Sequence, residues 1–326
     1  MTLTDAERST PVGAIWALVA VLCFSTNDVL VKFLSGGYPL YQLIFFRTLF
    51  GLAFILAVLV PLTGGSLSML KTRRLGTHIA RGACVVFANF CFFLGLAAMP
   101  LAEAVAVAIF FISPLAISVF SVIFLGETVG PRRWAAIAAG MLGVLIVLRP
   151  GTEAFQLAAL LPLVAAFGYA TLHILTRKIG GTENATAMAF YIQVTFFFFA
   201  GSAGLFLGDG RYETFDHPSM EFLLRAWVWP SGFDLVLIGL LGITSSLGGF
   251  TISQAYRRSE AAYVAPFEYA AMPLAVFWGL SIFGEWPDIW AWTGIALIML
   301  SGLILVWREA VAHRRVMRAA TQPKRY

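Results

Sequence analysis

Asp28, Arg47 and Glu268 each lie inside a long apolar stretch, where a charge must be paired, hydrogen-bonded or turned towards water. Asp28 and Arg47 belong to consecutive stretches. Counting back from the ends at which those stretches meet, both are roughly 12–14 Å deep at the helical rise per residue. That common level permits an ion pair, with two alternative uses: a buried bridge that fixes helix packing, or a site for substrate or protons. Glu268 stands between Pro266 and Tyr269, with Pro273 further on. Each proline removes a backbone donor and loosens the helix around the carboxylate, which makes Glu268 a candidate to bind a cation or exchange a proton. The alternative for Glu268 is a structural pairing with Arg81 or His173.

Other polar groups fall at similar positions. Asn27, Asn89, Gln193, Gln254 and Tyr269 offer hydrogen bonds, Phe110 and Tyr269 offer rings for stacking, and His173 is either a candidate to titrate near neutral pH or an imidazole simply hydrogen-bonded in place. Lys32 is one turn beyond Asp28 and so shares its face. Lys32, Glu103 and Arg81 are candidates for gates or ion pairs, weighed against plainer roles. Lys32 near one interface can snorkel to water, Arg81 can anchor its helix at the surface, and Glu103 can complement a helix N-terminus.

The elements that carry these residues follow from composition. The 326-residue chain is 60% hydrophobic and 12% charged, with a mean hydropathy of +0.84, more apolar surface than a soluble chain of this length can bury. An all-α integral membrane protein is expected. A span needs about 20 apolar residues, and ten segments qualify: 13–35, 38–62, 77–97, 101–125, 131–149, 155–176, 185–208, 233–256, 260–284 and 288–307.

With the N-terminus in the cytoplasm, sixteen of the 22 basic residues fall in the cytoplasmic loops and termini. The opposite loops hold only Arg149, Arg211 and Arg225, as the positive-inside rule requires. Both termini are therefore expected in the cytoplasm. The net charge of +5 needs no nucleic-acid partner. The longest loop, 208–232, falls outside, and its apolar stretch Phe222–Trp229 is expected along the lipid headgroups. Cys23, Cys84 and Cys91 have no metal-ligand spacing and read as small hydrophobes, and no cofactor motif is present. Residues 1–11 lack the positive region of a cleaved signal peptide.

A duplication runs through this pattern. Ala98-Met-Pro-Leu-Ala-Glu103 returns as Ala255-Tyr-Arg-Arg-Ser-Glu260. Each copy continues to a proline, Pro114 or Pro273, and closes on Gly126-Glu127 or Gly284-Glu285. Gly143-Val-Leu-Ile-Val-Leu-Arg149 likewise returns as Gly302-Leu-Ile-Leu-Val-Trp-Arg308, and Asp28–Lys32 corresponds more loosely to His173–Arg177. Five segments per copy is an odd number, so the second copy enters the membrane from the opposite side. The organisation expected is a cytoplasmic segment 1–12, a first repeat 13–150, an inverted second repeat 151–308 and a basic tail 309–326.

These residues carry a family resemblance. Arg81 through Ala98, Ala104, Pro114 and Leu125-Gly-Glu127 to Leu148-Arg-Pro-Gly151 resembles the first EamA-type repeat of the drug/metabolite transporter superfamily, and Ala255–Arg308 resembles the second. Phe45-Phe-Arg47 and Pro266-Phe-Glu268-Tyr269 are similar to the branch with S-adenosylmethionine uptake carriers, while Asn27-Asp28 followed by Lys32 is similar to riboflavin carriers. The resemblance implies secondary transport of a small organic metabolite by alternating access. Proton coupling and a homodimer are both compatible with it, and membrane lipid is its solvent.

Export of amino acids or drugs is the alternative within that class, and the absence of targeting segments favours a bacterial inner membrane. Two other classes fit less well. An intramembrane enzyme needs clustered catalytic residues, whereas the histidines are scattered at 78, 173, 217 and 313. A non-transporting sensor would normally add a soluble domain, and no loop is long enough for one.

Overall fold

A computed structural model describes residues 11–98, 110, 112–127, 130–149, 160–213, 217–284, 286–301 and 304. All regular elements among them are helical. In chain order they are α1 (Pro11–Leu34), α2 (Leu40–Leu62), α3 (Leu75–Ala98), α4 (Ser113–Leu125), α5 (Pro131–Leu148), α6 (Leu160–Ile179) and α7 (Ala185–Leu207). There follow a short α8 (Pro218–Leu224), α9 (Gly232–Arg258), a broken α10 over 261–283 and α11 (Ile289–Ser301).

Helices α1, α2, α3, α6, α7 and α9 are long and apolar enough to cross a membrane, while α4, α5, α10 and α11 contain shorter apolar helical runs. Their outward faces stay apolar. Leu205 is 86% exposed and Phe206 72%, as expected of a surface solvated by lipid rather than water.

Interruptions occur where the backbone lacks donors. Pro61 cannot donate to the carbonyl one turn earlier, and just before it α2 widens into a π turn over Ile55–Leu59, with Val60 N–H bonding Ile55 O. Helix α10 runs as α over Ala261–Val264, tightens to 3₁₀ over Ala265–Ala270 around Glu268, and resumes as α over Ala271–Trp278. The helix thus breaks at the proline-flanked carboxylate. Two exits from helical structure match across the duplication. Gly126 and Gly284 are both left-handed, at φ 67° and 64°, and their N–H groups reach back five residues to Ser121 O and Gly279 O.

Differences from the expected segments are local. Helix α6 continues to Ile179 and places Arg177 and Lys178 in its last turn, where cations complement the helix dipole. The 208–232 connection contains α8 and is fastened to the bundle rather than resting on the headgroups alone. Phe222 is 3% exposed, Trp227 packs against Tyr41, Phe45 and Phe46, and Gln42 exchanges both of its amide hydrogen bonds with the Val228 backbone. Val228 and Trp229 stay at the surface, Trp229 at 76% exposed.

The tightest packing joins α1 to α9, α3 to α6, and α2 to both α9 and α7. Polar fastenings gather at two ends. Where α1 begins, Arg177 lies 3.9 Å from Glu127, Glu127 accepts from Ala261 N–H, and Arg257 donates to Glu183 O at 2.8 Å. Where α1 finishes, Tyr38 donates to Asp234 at 2.6 Å, Arg225 to Ser35 O at 3.0 Å and Ser219 to Leu94 O at 2.6 Å.

Candidate functional site

Between these ends lies a chamber of about 130 Å³, lined by α1, α2, α3, α6, α7 and α9 together with Phe110. A second chamber of about 70 Å³ shares Phe24, Asp28, Phe92, Phe110, Tyr169 and Ile252 with it and adds Glu268. The two chambers are neighbours, with these six shared residues between them. One water needs about 10–15 Å³ measured this way, so the larger chamber admits several waters or a small organic group.

Arg47 forms one wall. It is 2% exposed, and its Nη1 donates to Asn27 Oδ1 at 3.4 Å while Asn27 Nδ2 donates to Leu241 O at 3.1 Å. Arg47 Cζ lies 4.7 Å from the centre of the Phe196 ring, a cation–π contact. Its Nε and Nη2 have no hydrogen-bond partner among the described residues.

Two glycines bring α2 and α9 close enough to hold this arrangement. A Cβ on Gly242 would stand 2.6 Å from Arg47 O, and one on Gly51 would stand 2.4 Å from Ser246 Oγ and 2.9 Å from Gln193 Nε2. Gln193 Nε2 donates to Ser246 Oγ at 2.8 Å from its place in the chamber wall.

Glu268 sits at the other side, 6% exposed on the 3₁₀ segment of α10. The expected pairing with Arg81 or His173 is not what holds it. Tyr256 Oη donates to Glu268 Oε1, and Tyr169 is its second hydrogen-bond partner. Phenols can satisfy a carboxylate without neutralising it, which spares the cost of burying a second charge. His173 stacks on Tyr256 at 4.1 Å between ring centres and meets the edge of Tyr169 at 4.2 Å. Both His173 ring nitrogens lack partners among the described residues. Phe110 extends the aromatic wall, 5.0 Å from Phe92 and 5.2 Å from Tyr169.

Eight sequence candidates thus line these two chambers: Asn27, Asp28, Arg47, Asn89, Phe110, His173, Gln193 and Glu268. The remaining candidates are elsewhere. Arg81 is 1% exposed, so it is not a surface anchor; it donates to Thr176 Oγ1 at 3.0 Å beside a His78–Glu183 pair at 3.2 Å. Gln254 accepts from Arg257 at the end where α1 begins, because it falls in the last turns of α9. Lys32 lies 4.4 Å over the Phe283 ring at the opposite end, and Tyr269 is buried in the apolar core beside Met272. Asp28 faces both chambers, and Asn27 rather than Asp28 is the hydrogen-bond partner of Arg47. Glu103 falls outside the described residues.

Sequence reasoning missed Tyr169 and Tyr256. Tyr169 precedes His173 by one helical turn, a spacing that could have flagged it. Tyr256 carried no such signal, being 12 residues from Glu268 across a helix end. Among the described residues no cluster of His, Cys, Asp and Glu could hold a metal, and Cys23, Cys84 and Cys91 are free thiols.

Residues 11–149 match the EamA-like transporter family. A riboflavin transporter of Rhizobium johnstonii is 30% identical over 306 residues, covering 93% of this chain and 94% of the relative. An S-adenosylmethionine uptake transporter of Rickettsia felis is 28% identical over 313 residues, covering 96% of this chain and 98% of the relative. A solved crystal structure with 20% identity superimposes with a TM-score of 0.68 over 93% of this chain and 98% of its own, a likeness of fold.

Proposed function

The chain belongs to the EamA-like transporter family, and from that membership we propose that it carries a small organic metabolite through the central chamber by alternating access. One observation carries this reading. Asp28 and Arg47 line one buried chamber and Asp28 and Glu268 line its neighbour, with polar fastenings beyond them at both ends. Releasing one set of fastenings while the other holds would expose the charged groups to one side at a time.

The reading includes ten crossings arranged as two inverted five-helix repeats, 13–150 and 151–308, with both termini in the cytoplasm of a bacterial inner membrane. The matching left-handed exits at Gly126 and Gly284 support it. So does the packing. Exchanging each helix for its counterpart in the other repeat turns the α1–α9 contact into the α6–α3 contact and the α2–α9 contact into the α7–α3 contact, and all four occur. Charge placement supplies the orientation.

The relatives' names suggest riboflavin and S-adenosylmethionine as first cargoes to try. Uptake and efflux of both, with an amino-acid panel, are to be measured in proteoliposomes of the purified protein. Saturable flux in either direction supports the carrier reading. Flux no greater than in empty liposomes for the whole panel would overturn it for these metabolite classes. Proton coupling through Glu268 belongs to the same reading, because a carboxylate held by two phenols at a helix break can exchange a proton with the chamber.

A further inference from the structure

We infer that the chamber selects a metabolite bearing both a carboxylate and a flat ring, and that the carboxylate seats side-on against Arg47. This rests on the chamber being the substrate site and names the chemistry it recognises. A guanidinium has two edges suited to a forked pair of hydrogen bonds, and the Nε–Nη2 edge presents two parallel N–H donors at the spacing of carboxylate oxygens. In Arg47 the Nη1 corner is committed to Asn27, while Nε and Nη2 have no partner among the described residues. The group is 2% exposed and belongs to the chamber wall. Asp28 offsets part of the Arg47 charge through space, but two buried N–H groups without acceptors are costly unless a ligand supplies them.

Asn27 and the Phe196 ring hold the guanidinium plane on two sides, so the geometry of the free edge is set before a ligand arrives. A planar anion profits from that preorganisation more than a spherical one.

The ring requirement comes from the opposite wall. Phe110, Tyr169 and His173 form a continuous aromatic surface with ring centres 5.2 and 4.2 Å apart. His173 is 1% exposed, and both ring nitrogens lack partners among the described residues, so it can donate one hydrogen bond and accept another. A heteroaromatic body with its own donor and acceptor meets that wall better than an aliphatic chain does.

Matched ligands test this on the full-length protein in detergent, with affinity read by calorimetry. One pair is S-adenosylmethionine and its decarboxylated form, which keeps the purine ring, the sulfonium and the ammonium group and lacks only the carboxylate. Another is tryptophan and tryptophan amide. The expected result is that in at least one pair the carboxylate member binds about tenfold tighter or more. That gap should close in Arg47→Gln and narrow in Arg47→Lys, which keeps the charge and loses the fork.

Equal affinities within both pairs, or no binding by any of the four, overturn the inference. The comparison in the unaltered protein decides this even if the variants fail to fold. Riboflavin, which has no carboxylate, separates the two levels of argument. If riboflavin is transported as well by Arg47→Gln as by the unaltered protein and both pairs bind without discrimination, the carrier reading stands and the carboxylate assignment falls. If nothing is transported, the carrier reading itself fails for these metabolite classes.

Discussion

Glu268 shows how a single side chain depends on groups that its own segment does not contain. Its carboxylate rests on Tyr256 from the end of α9 and Tyr169 from α6, with His173 wedged against both rings. Replacing Glu268 by Gln keeps the shape and removes the ionisable group. Transport by Glu268→Gln is expected to lose the pH dependence that the unaltered protein shows. An unchanged rate and pH profile would end the case for proton coupling through this residue. Tyr256→Phe deletes one phenol donor and leaves a buried acceptor less satisfied. It should lower stability by about 1–3 kcal/mol, read as a fall in the melting temperature of the purified protein. At this scale the sequence marks Asp28, Arg47 and Glu268 because charge in an apolar stretch is conspicuous. It is silent on Tyr256, because a tyrosine at a helix end is ordinary until its partner is known.

Two close crossings define the elements around the site. Gly242 lets α9 approach the backbone of α2 at Arg47 itself, and a Cβ there would be 2.6 Å from both Arg47 O and Phe50 Cβ. Gly242→Ala must push these helices apart. We expect a loss of about 1–3 kcal/mol in stability, the usual cost of overpacking, together with reduced transport because Arg47 moves. Gly76→Ala is the control. Nothing lies within 4 Å of the added methyl group in the first turns of α3, and alanine favours a helix by about 0.5–1 kcal/mol, so its melting temperature should not fall.

At the end of α5, Arg149 adopts φ 47° and pairs with Asp288 ahead of α11. Arg149 holds the Asp288 carboxyl below its ordinary range, chiefly by a side-chain hydrogen bond. A depressed carboxyl stabilises the folded state above its unfolded pKa, and the contribution is lost as pH falls through the folded value. Asp288 is 44% exposed, so solvent screening limits the effect to about 1 kcal/mol or less. Asp288→Asn should therefore cost a little stability at neutral pH and progressively less in acid, measured by thermal unfolding across that range. The break in α10 is legible from its prolines, since each missing N–H is written in the sequence. The fastening of 208–232 is not, because Gln42 and Val228 find each other only after the bundle forms.

Alternating access belongs to the whole molecule and predicts a behaviour no single helix could show. Asn89 lines the chamber. In a background with Cys23, Cys84 and Cys91 replaced, Asn89→Cys is expected to react with a membrane-impermeant thiol reagent applied from either side of sealed vesicles. Transported substrate should slow the reaction from both sides. Labelling from one side only, with or without substrate, would contradict a chamber that opens in turn to each. The all-helical membrane class, the apolar segments, the duplication and the short list of buried charges are all determined by the sequence alone. They are properties of composition and spacing, and lipid as the surrounding solvent leaves few other ways to satisfy the backbone. Only the tertiary structure decides which of those charges share a volume. Asp28 and Arg47 line one chamber and Glu268 joins Asp28 in the neighbouring one, while Arg81 and Lys32 lie elsewhere. The difference lies in helix rotation and close approach, set by contacts such as those at Gly51 and Gly242 between residues nearly two hundred positions apart.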